Sequence, residues 1–205
     1  MTEKHPDKDR IAIIGLGKVG TAVGHLLKEA GYGISAVFDP QPSAVEQHIR
    51  YTGGRPAQSA ADAARDADAV LITTGDDFIA PVCRTIAEEG GFSAGRKVIH
   101  MSGAGGLDLL DAAKERGCAV ASIHPIQTFA DVDGAVANIP GSTFGVTAGD
   151  GIRDWAVTFV RDLNGTPIFI REGQTPLSRG RLRGFQLPCD PDPYRRDHLQ
   201  PLRFG

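Results

Sequence analysis

Cysteine is scarce in this chain. Cys83, Cys118 and Cys189 are the only three in 205 residues, they lie far apart, and none belongs to a C-x-x-C pair. That excludes a disulfide framework and a cysteine-built metal centre, and it fits a reducing compartment. No apolar run approaches the roughly 20 residues of a membrane span. The leader, MTEKHPDKDR, is charged and has no apolar stretch of the signal-peptide kind. The expectation is a cytoplasmic protein without a membrane partner. Net charge is also small, at −3, so no overall field draws nucleic acid. There is no internal repeat. No G-x-S-x-G elbow is present, and neither Cys83 nor Cys118 has a nucleophile motif around it. Aromatic residues make up 6% of the chain and hydrophobic residues 41%, enough for a globular core in one medium domain or slightly more.

What is there is a regular alternation. "IAIIG" (Ile11 to Gly15) reads as a buried strand stopped by glycine, and "KVGTAVGHLLKEAG" as a helix ending at Gly31. "ISAVFDP" gives a second strand ended by Pro40. A helix is expected through "PSAVEQHIR", a short strand in "GRPAQS" and a helix in "AADAARDA". "DAVLITTGDD" is the clearest later strand. A helix follows in "FIAPVCRTIAEEG", with Asp76 and Asp77 expected to cap it. Strand "RKVIHMSGAGG", helix "GLDLLDAAKERG" and strand "CAVASIHP" come next. "STFGVTAG" and "GTPIFI" are expected as late strands around a helix in which Ile152, Trp155, Phe159 and Leu163 share one side. Strands alternating with helices predict an α/β fold, a mostly parallel sheet with helices on both faces.

Gly15-Leu16-Gly17-Lys18-Val19-Gly20 is a G-x-G-x-x-G between a strand and a helix. The first glycine permits a tight turn, the second lets backbone approach a pyrophosphate, and the third lets helix pack on strand. The helix N-terminus then offers unpaired N–H groups to phosphates. This spacing predicts a Rossmann-like dinucleotide site, with NAD or NADP as cofactor. Asp39, at the end of the second strand, is the candidate for the ribose hydroxyls. A carboxylate there favours NAD, because it repels a 2′-phosphate; Asp before Pro is also a routine turn starter.

Ligands of open α/β sheets bind outside the C-terminal strand ends. Thr73 and Thr74 are therefore candidate cofactor contacts. Ser102, after "VIHM", is a candidate for cofactor or substrate, or for a cap. His124, in "SIHPIQTFAD", is a candidate for proton transfer or substrate binding, set against a half-buried histidine bonded to backbone.

"IAIIGLGKVGTAVGHLL", "DADAVLITTGDDFI", "VIHMSGAGGLDLL" and above all "SIHPIQTFAD" with "GSTFGVTAGD" resemble the bacterial Rossmann-like proteins that carry a DUF2520 C-terminal domain. Those oxidoreductase-like proteins are similar to pyrroline-5-carboxylate reductases and NADP-dependent coenzyme F420 oxidoreductases. The resemblance spans about residues 10 to 174. It implies a dinucleotide-binding domain over 10–121, the start of a C-terminal domain over 122–174, hydride transfer to or from a small-molecule substrate, and a homodimer. Two positions depart from the family pattern: Asp39-Pro40 stands where a Ser-Arg type pair suits NADP, and Gly75 stands where proline is usual. A non-catalytic dinucleotide-binding or sensor module is the alternative reading.

The segment 175–205 breaks the pattern. "TPLSRGRLRGFQLPCDPDP" has no strand or helix period, and acidic residues interrupt its arginines, which argues against a nucleic-acid arm. Codons allowed for Thr175 to Pro193, read one base later, encode an apolar sequence beginning P-L-Y-H-A-A, close to the family's helix. The expectation is a frameshifted tail, an incomplete C-terminal domain and impaired turnover; the gene's DNA around codon 175 decides it.

Overall fold

The computed structural model describes residues 8–171. Eight strands form one sheet: β1 (Arg10–Ile14), β2 (Gly33–Phe38), β3 (Arg55–Pro56), β4 (Ala69–Ile72), β5 (Lys97–His100), β6 (Ala119–Pro125), β7 (Thr143–Ala148) and β8 (Thr166–Phe169). Their order is β3-β2-β1-β4-β5-β6-β7-β8. β1 to β6 run parallel, β7 is antiparallel to β6, and β8 is parallel to β7. The order reverses at β1, so the crevice lies between the ends of β1 and β4.

Both sheet faces are covered. Ile11, Ile13, Ala69 and Leu71 point to one side, beneath α1 (Lys18–Glu29), α2 (Pro42–Thr52), α6 (Val132–Asn138) and α7 (Arg153–Asp162). Ala12, Ile14, Val70 and Ile72 point to the other, beneath α3 (Ala60–Ala64), α4 (Asp76–Glu88) and α5 (Asp111–Glu115). Strands buried on both faces read as continuous apolar runs, which is why "IAII" and "AVLI" were conspicuous. Each of the isoleucine, leucine and valine side chains among them contributes about 1.5–3 kcal/mol on burial.

Several details differ from the sequence expectations. Gly75, in extended conformation, is the N-cap of α4, and Asp76 and Asp77 occupy the first turn. They act there on the helix dipole and cap nothing. α6 was not anticipated; Asp131 caps it by accepting a hydrogen bond from Gly134 N–H at 2.7 Å. Residues 121 and 122 both lie within β6, and the sheet continues through β7 and β8 to Phe169. The end of the charged leader also joins the fold. Asp9 accepts from Trp155 Nε1 at 2.6 Å and pairs with Lys97 at 3.0 Å. Lys8 bonds Asp162 at 2.9 Å, and Tyr32 donates to the same oxygen at 2.8 Å. These contacts stitch α7 to the start of β1. The expectations for 175–205 lie outside the described residues. No helix among the described residues is long and apolar enough to cross a membrane.

Candidate functional site

The glycine loop leaves β1 through Gly15, whose φ of +99° suits glycine. A Cβ there would lie 2.8 Å from Thr74 N. At Gly20 a Cβ would collide with Gly15 O and Thr73 Oγ1, so α1 can sit this close only with glycine. At Gly17 a Cβ would meet nothing within 4 Å.

Hydrogen bonds show which loop groups are free. Gly15 N–H donates to Phe38 O at 2.8 Å, and Leu16 N–H to Asp39 Oδ2 at 2.8 Å. Gly15 O accepts from Thr73 Oγ1 at 2.7 Å. The first helical bond of α1 is Thr21 N–H to Gly17 O, at 2.9 Å. The N–H groups of Gly17, Lys18, Val19 and Gly20 have no acceptor among the described residues. Four consecutive N–H groups at a helix start, with no acidic residue in its first turn and open space before Gly17, form a cradle for an anion.

Asp39 stands beside this cradle. Its other oxygen accepts from Gln41 N–H at 2.9 Å, so both oxygens face backbone donors and each keeps a lone pair for a hydroxyl. Thr73 is engaged with the loop's own carbonyls. Thr74 differs: its Oγ1 is buried without a hydrogen-bond partner among the described residues, an orphan at the switch point. Lys18 Nζ crosses to Phe129 O at 3.2 Å, so the segment after β6 borders the start of α1.

The ends of β5 and β6 hold two histidines in different roles. His100 is fully buried. Its Nδ1 accepts from Ser102 N–H at 3.2 Å, and its Nε2 faces Gly106 O at 3.1 Å. A carbonyl only accepts, so the proton is on Nε2 and the ring is saturated, which makes His100 the brace of the 100–106 loop. Ser102 is 6% exposed, and its Oγ accepts from Ala104 N–H at 3.1 Å, forming a turn of that loop. His124 is half-buried, with Nδ1 at 3.3 Å from Met101 O. The proton therefore sits on Nδ1, and Nε2 carries a lone pair. A Cβ on Gly103 would approach Nε2, Cδ2 at 2.6 Å and Cε1 at 2.8 Å together. Gly103 thus lies over the ring face beside Nε2. Burial pushes both histidines below their usual range, opposed by the carbonyl bonds and by the Asp76 carboxylate. Both are neutral at pH 7.

The chain thus brings the glycine loop, Asp39, Thr73 and Thr74 together at the β1–β4 switch point. Ser102, after β5, lies one strand along the same edge from β4, and His124, near the end of β6, lies two. Sequence reasoning missed His48 on α2, whose Nδ1 donates to Leu16 O at 2.7 Å; nothing in its spacing marks it. A depression of about 490 Å³ near Cys118 and Gly149 lies at the opposite end of β6 and is separate from the crevice. Among the described residues no group of three or more His, Cys, Asp or Glu side chains is placed to hold a metal ion.

Residues 2–125 match the family described as Rossmann-like domain. Among solved structures, a protein described as an NADP oxidoreductase from Bacteroides fragilis superposes with a TM-score of 0.70 at 16% identity, covering 82% of this chain and 62% of that one. Prephenate dehydrogenase from Aquifex aeolicus, in complex with hydroxyphenyl propionate and NAD+, gives 0.68 at 16% identity, with 82% and 62% covered. A pyrroline-5-carboxylate reductase from Coxiella burnetii gives 0.64 at 16%, with 79% and 58% covered. The chain spans about three fifths of the length of these proteins. No curated protein matches it in sequence.

Proposed function

The chain belongs to the Rossmann-like domain family, and from that premise we propose that it is the dinucleotide-binding part of an NAD(P)-dependent oxidoreductase acting on a small molecule. The observation that carries the reading is the row of four N–H groups, Gly17 to Gly20, without an acceptor among the described residues, at a helix start where a Cβ on Gly17 would meet nothing within 4 Å. A pyrophosphate fits that donor set. The buried Thr74 Oγ1 is a second group without a hydrogen-bond partner among the described residues.

The nicotinamide cofactor, when bound, supplies a hydride acceptor or donor. Everything else falls to the chain. The N–H groups of Gly17, Lys18, Val19 and Gly20 hold the pyrophosphate, aided by the positive end of α1. Asp39 accepts from ribose hydroxyls and favours NAD over NADP. Thr73 and Leu16 keep the loop in shape, and Thr74, its hydroxyl buried, backs the glycine loop beside Gly15. Ser102 and His100 shape the floor beside the reacting centre. His124 takes a proton from a substrate O–H or N–H at Nε2, or returns one there, while Met101 O holds its tautomer. Phe78 and Ile126, 64% and 44% exposed, follow β4 and β6 at the same edge and support the homodimer or further domain that the resemblance implies.

Titration of the purified chain with NADH and NADPH, followed by a screen of imine, keto acid and alcohol substrates, tests the reading. Saturable binding with NADH tighter than NADPH is expected. Absence of binding to either dinucleotide rejects it. Binding without turnover of any substrate favours the sensor module.

A further inference from the structure

His48 has no place in the glycine motif and none in the proton chemistry, yet it makes one of the shortest side-chain bonds at the loop. Its Nδ1 donates to Leu16 O at 2.7 Å, and Thr21 Oγ1 donates to the same oxygen at 3.1 Å. Leu16 O belongs to the peptide unit that contains Gly17 N–H. In a trans peptide the C=O and N–H point in opposite directions and turn together. A donor that draws Leu16 O inward therefore directs Gly17 N–H outward, into the open space. We infer that His48 is a positioning residue for anion binding: it sets the Leu16–Gly17 peptide plane and so aims the first N–H of the cradle. This rests on the dinucleotide reading above.

The neighbouring peptide shows the same device. In the Gly15–Leu16 unit the carbonyl is held by Thr73 and the N–H by Asp39. Both ends are occupied, so that unit is fixed but offers nothing to a ligand. The Leu16–Gly17 unit is held at the carbonyl alone, and its N–H stays free. The Leu16 side chain is 1% exposed and anchored in the core, so rotation of this peptide is the motion left for His48, at 2.7 Å, to restrain together with the longer Thr21 bond. α2 is suited to carry the clamp. Most of the helix is exposed or half-exposed, with only Thr52 buried. His48 meets the Tyr51 ring edge-on at 6.5 Å, and Tyr51 Oη donates to Asp133 of α6 at 2.7 Å. The imidazole thus packs beside a ring that is itself tied to α6.

The experiment compares His48→Ala, His48→Asn and His48→Gln with the wild type by NADH titration, thermal melting and the amide NMR signal of Gly17. Asparagine places its amide nitrogen where Nδ1 stands; glutamine carries it one bond too far, near the Nε2 position. His48→Ala and His48→Gln should weaken NADH binding about threefold to tenfold, the range for one lost hydrogen bond to backbone. They should also move the Gly17 amide signal. His48→Asn should bind within about twofold of wild type, the scatter expected for a retained bond. Wild-type affinity in both His48→Ala and His48→Gln overturns the inference. So does His48→Asn binding as weakly as His48→Gln, which would make the ring and not the donor the important part. Failure of the wild type to bind either dinucleotide is a different result: it removes the functional reading first, and the inference with it.

Discussion

Alanine at Gly17 and alanine at Gly20 should have opposite effects, because the two glycines are required for different reasons. Gly17 has φ −73° and ψ −171°, a conformation open to any residue. Its Cβ would touch nothing within 4 Å. Losing glycine's unfolded-state freedom stabilises by about 0.4–1 kcal/mol. Alanine is a poorer N-cap than glycine, by about 0.5–1 kcal/mol. The two nearly cancel, so Gly17→Ala should melt within about 2–4 °C of wild type. Its methyl group, however, would occupy the open space at the start of α1, beside the free N–H groups. Dinucleotide affinity should fall at least about tenfold, or about 1.4 kcal/mol. Gly20→Ala inverts the pattern. The new Cβ meets Gly15 O and Thr73 Oγ1 inside contact distance, and neither backbone nor a β-branched side chain yields easily. Overpacking of this kind costs about 1–3 kcal/mol; at the upper end, less about 1 kcal/mol for alanine's helix preference, about 2 kcal/mol remains. The melting point should drop by about 4–8 °C. Thermal melts of the ligand-free variants and NADH fluorescence titrations give both numbers. Tight NADH binding by a stable Gly17→Ala protein would refute the claim that the open space is the phosphate site.

Three further outcomes follow from single residues. Asp39→Asn removes the charge that opposes a 2′-phosphate; the NADPH-to-NADH ratio of Kd values should fall about tenfold or more, and an unchanged ratio would remove Asp39 from cofactor choice. Stability should decline as pH falls below about 6.5, because unfolded histidines protonate there while His100 and His124, depressed by burial, resist protonation until lower pH. Their contribution is complete above 6.5 and lost going down through the folded values; His100→Gln, which keeps a donor near the Nε2 position, should flatten the pH 5.5–6.5 dependence of Tm by up to one proton's worth, and a curve as steep as wild type would contradict it. Asp9→Ala removes the acceptor of Trp155 Nε1 and the partner of Lys97. A loss of about 1–2 kcal/mol is expected, with a shift in the emission of Trp155, the chain's single tryptophan; unchanged emission would show that the contact does not hold the indole.

The parts of this fold that were legible share one property: they are set by local pattern. "IAII", "AVLI" and "KVIH" are short apolar runs because both faces of the sheet are covered, and that composition marks a buried strand wherever it occurs. The parts that were not legible depend on partners distant in sequence. α6 is seven residues long, with Ala135 its only buried residue, so it has almost no amphipathic signal. The antiparallel direction of β7 leaves no trace in its alternation. Asp76 and Asp77 look like caps in the sequence, but Gly75 takes the extended conformation and α4 starts at Asp76, two residues before Phe78. His100 and His124 carry the same letter at equivalent strand ends. They differ because His100 finds an acceptor and a donor in its own loop, whereas His124 finds an acceptor on one side only.

The same limit applies more sharply to the cradle. Its working groups are four backbone N–H donors, and every residue but proline has one. A sequence shows where such donors are allowed to converge, through the glycines that keep space clear, and leaves open which of them the protein uses itself. Here Gly15 N–H and Leu16 N–H are taken by Phe38 O and Asp39, and Gly17 to Gly20 are left. That division is made by residues outside the motif: Asp39 just after β2, Thr73 just after β4, His48 on α2. The motif supplies room, and the surrounding side chains decide which N–H groups point into it. A chain that kept Gly15, Gly17 and Gly20 but lost those three would keep the motif and lose the aim. The triple variant Asp39→Ala, Thr73→Val, His48→Ala, compared with Gly17→Ala, therefore separates aim from space: both should fail to hold a dinucleotide, the first with a loosened loop and the second with an ordered one.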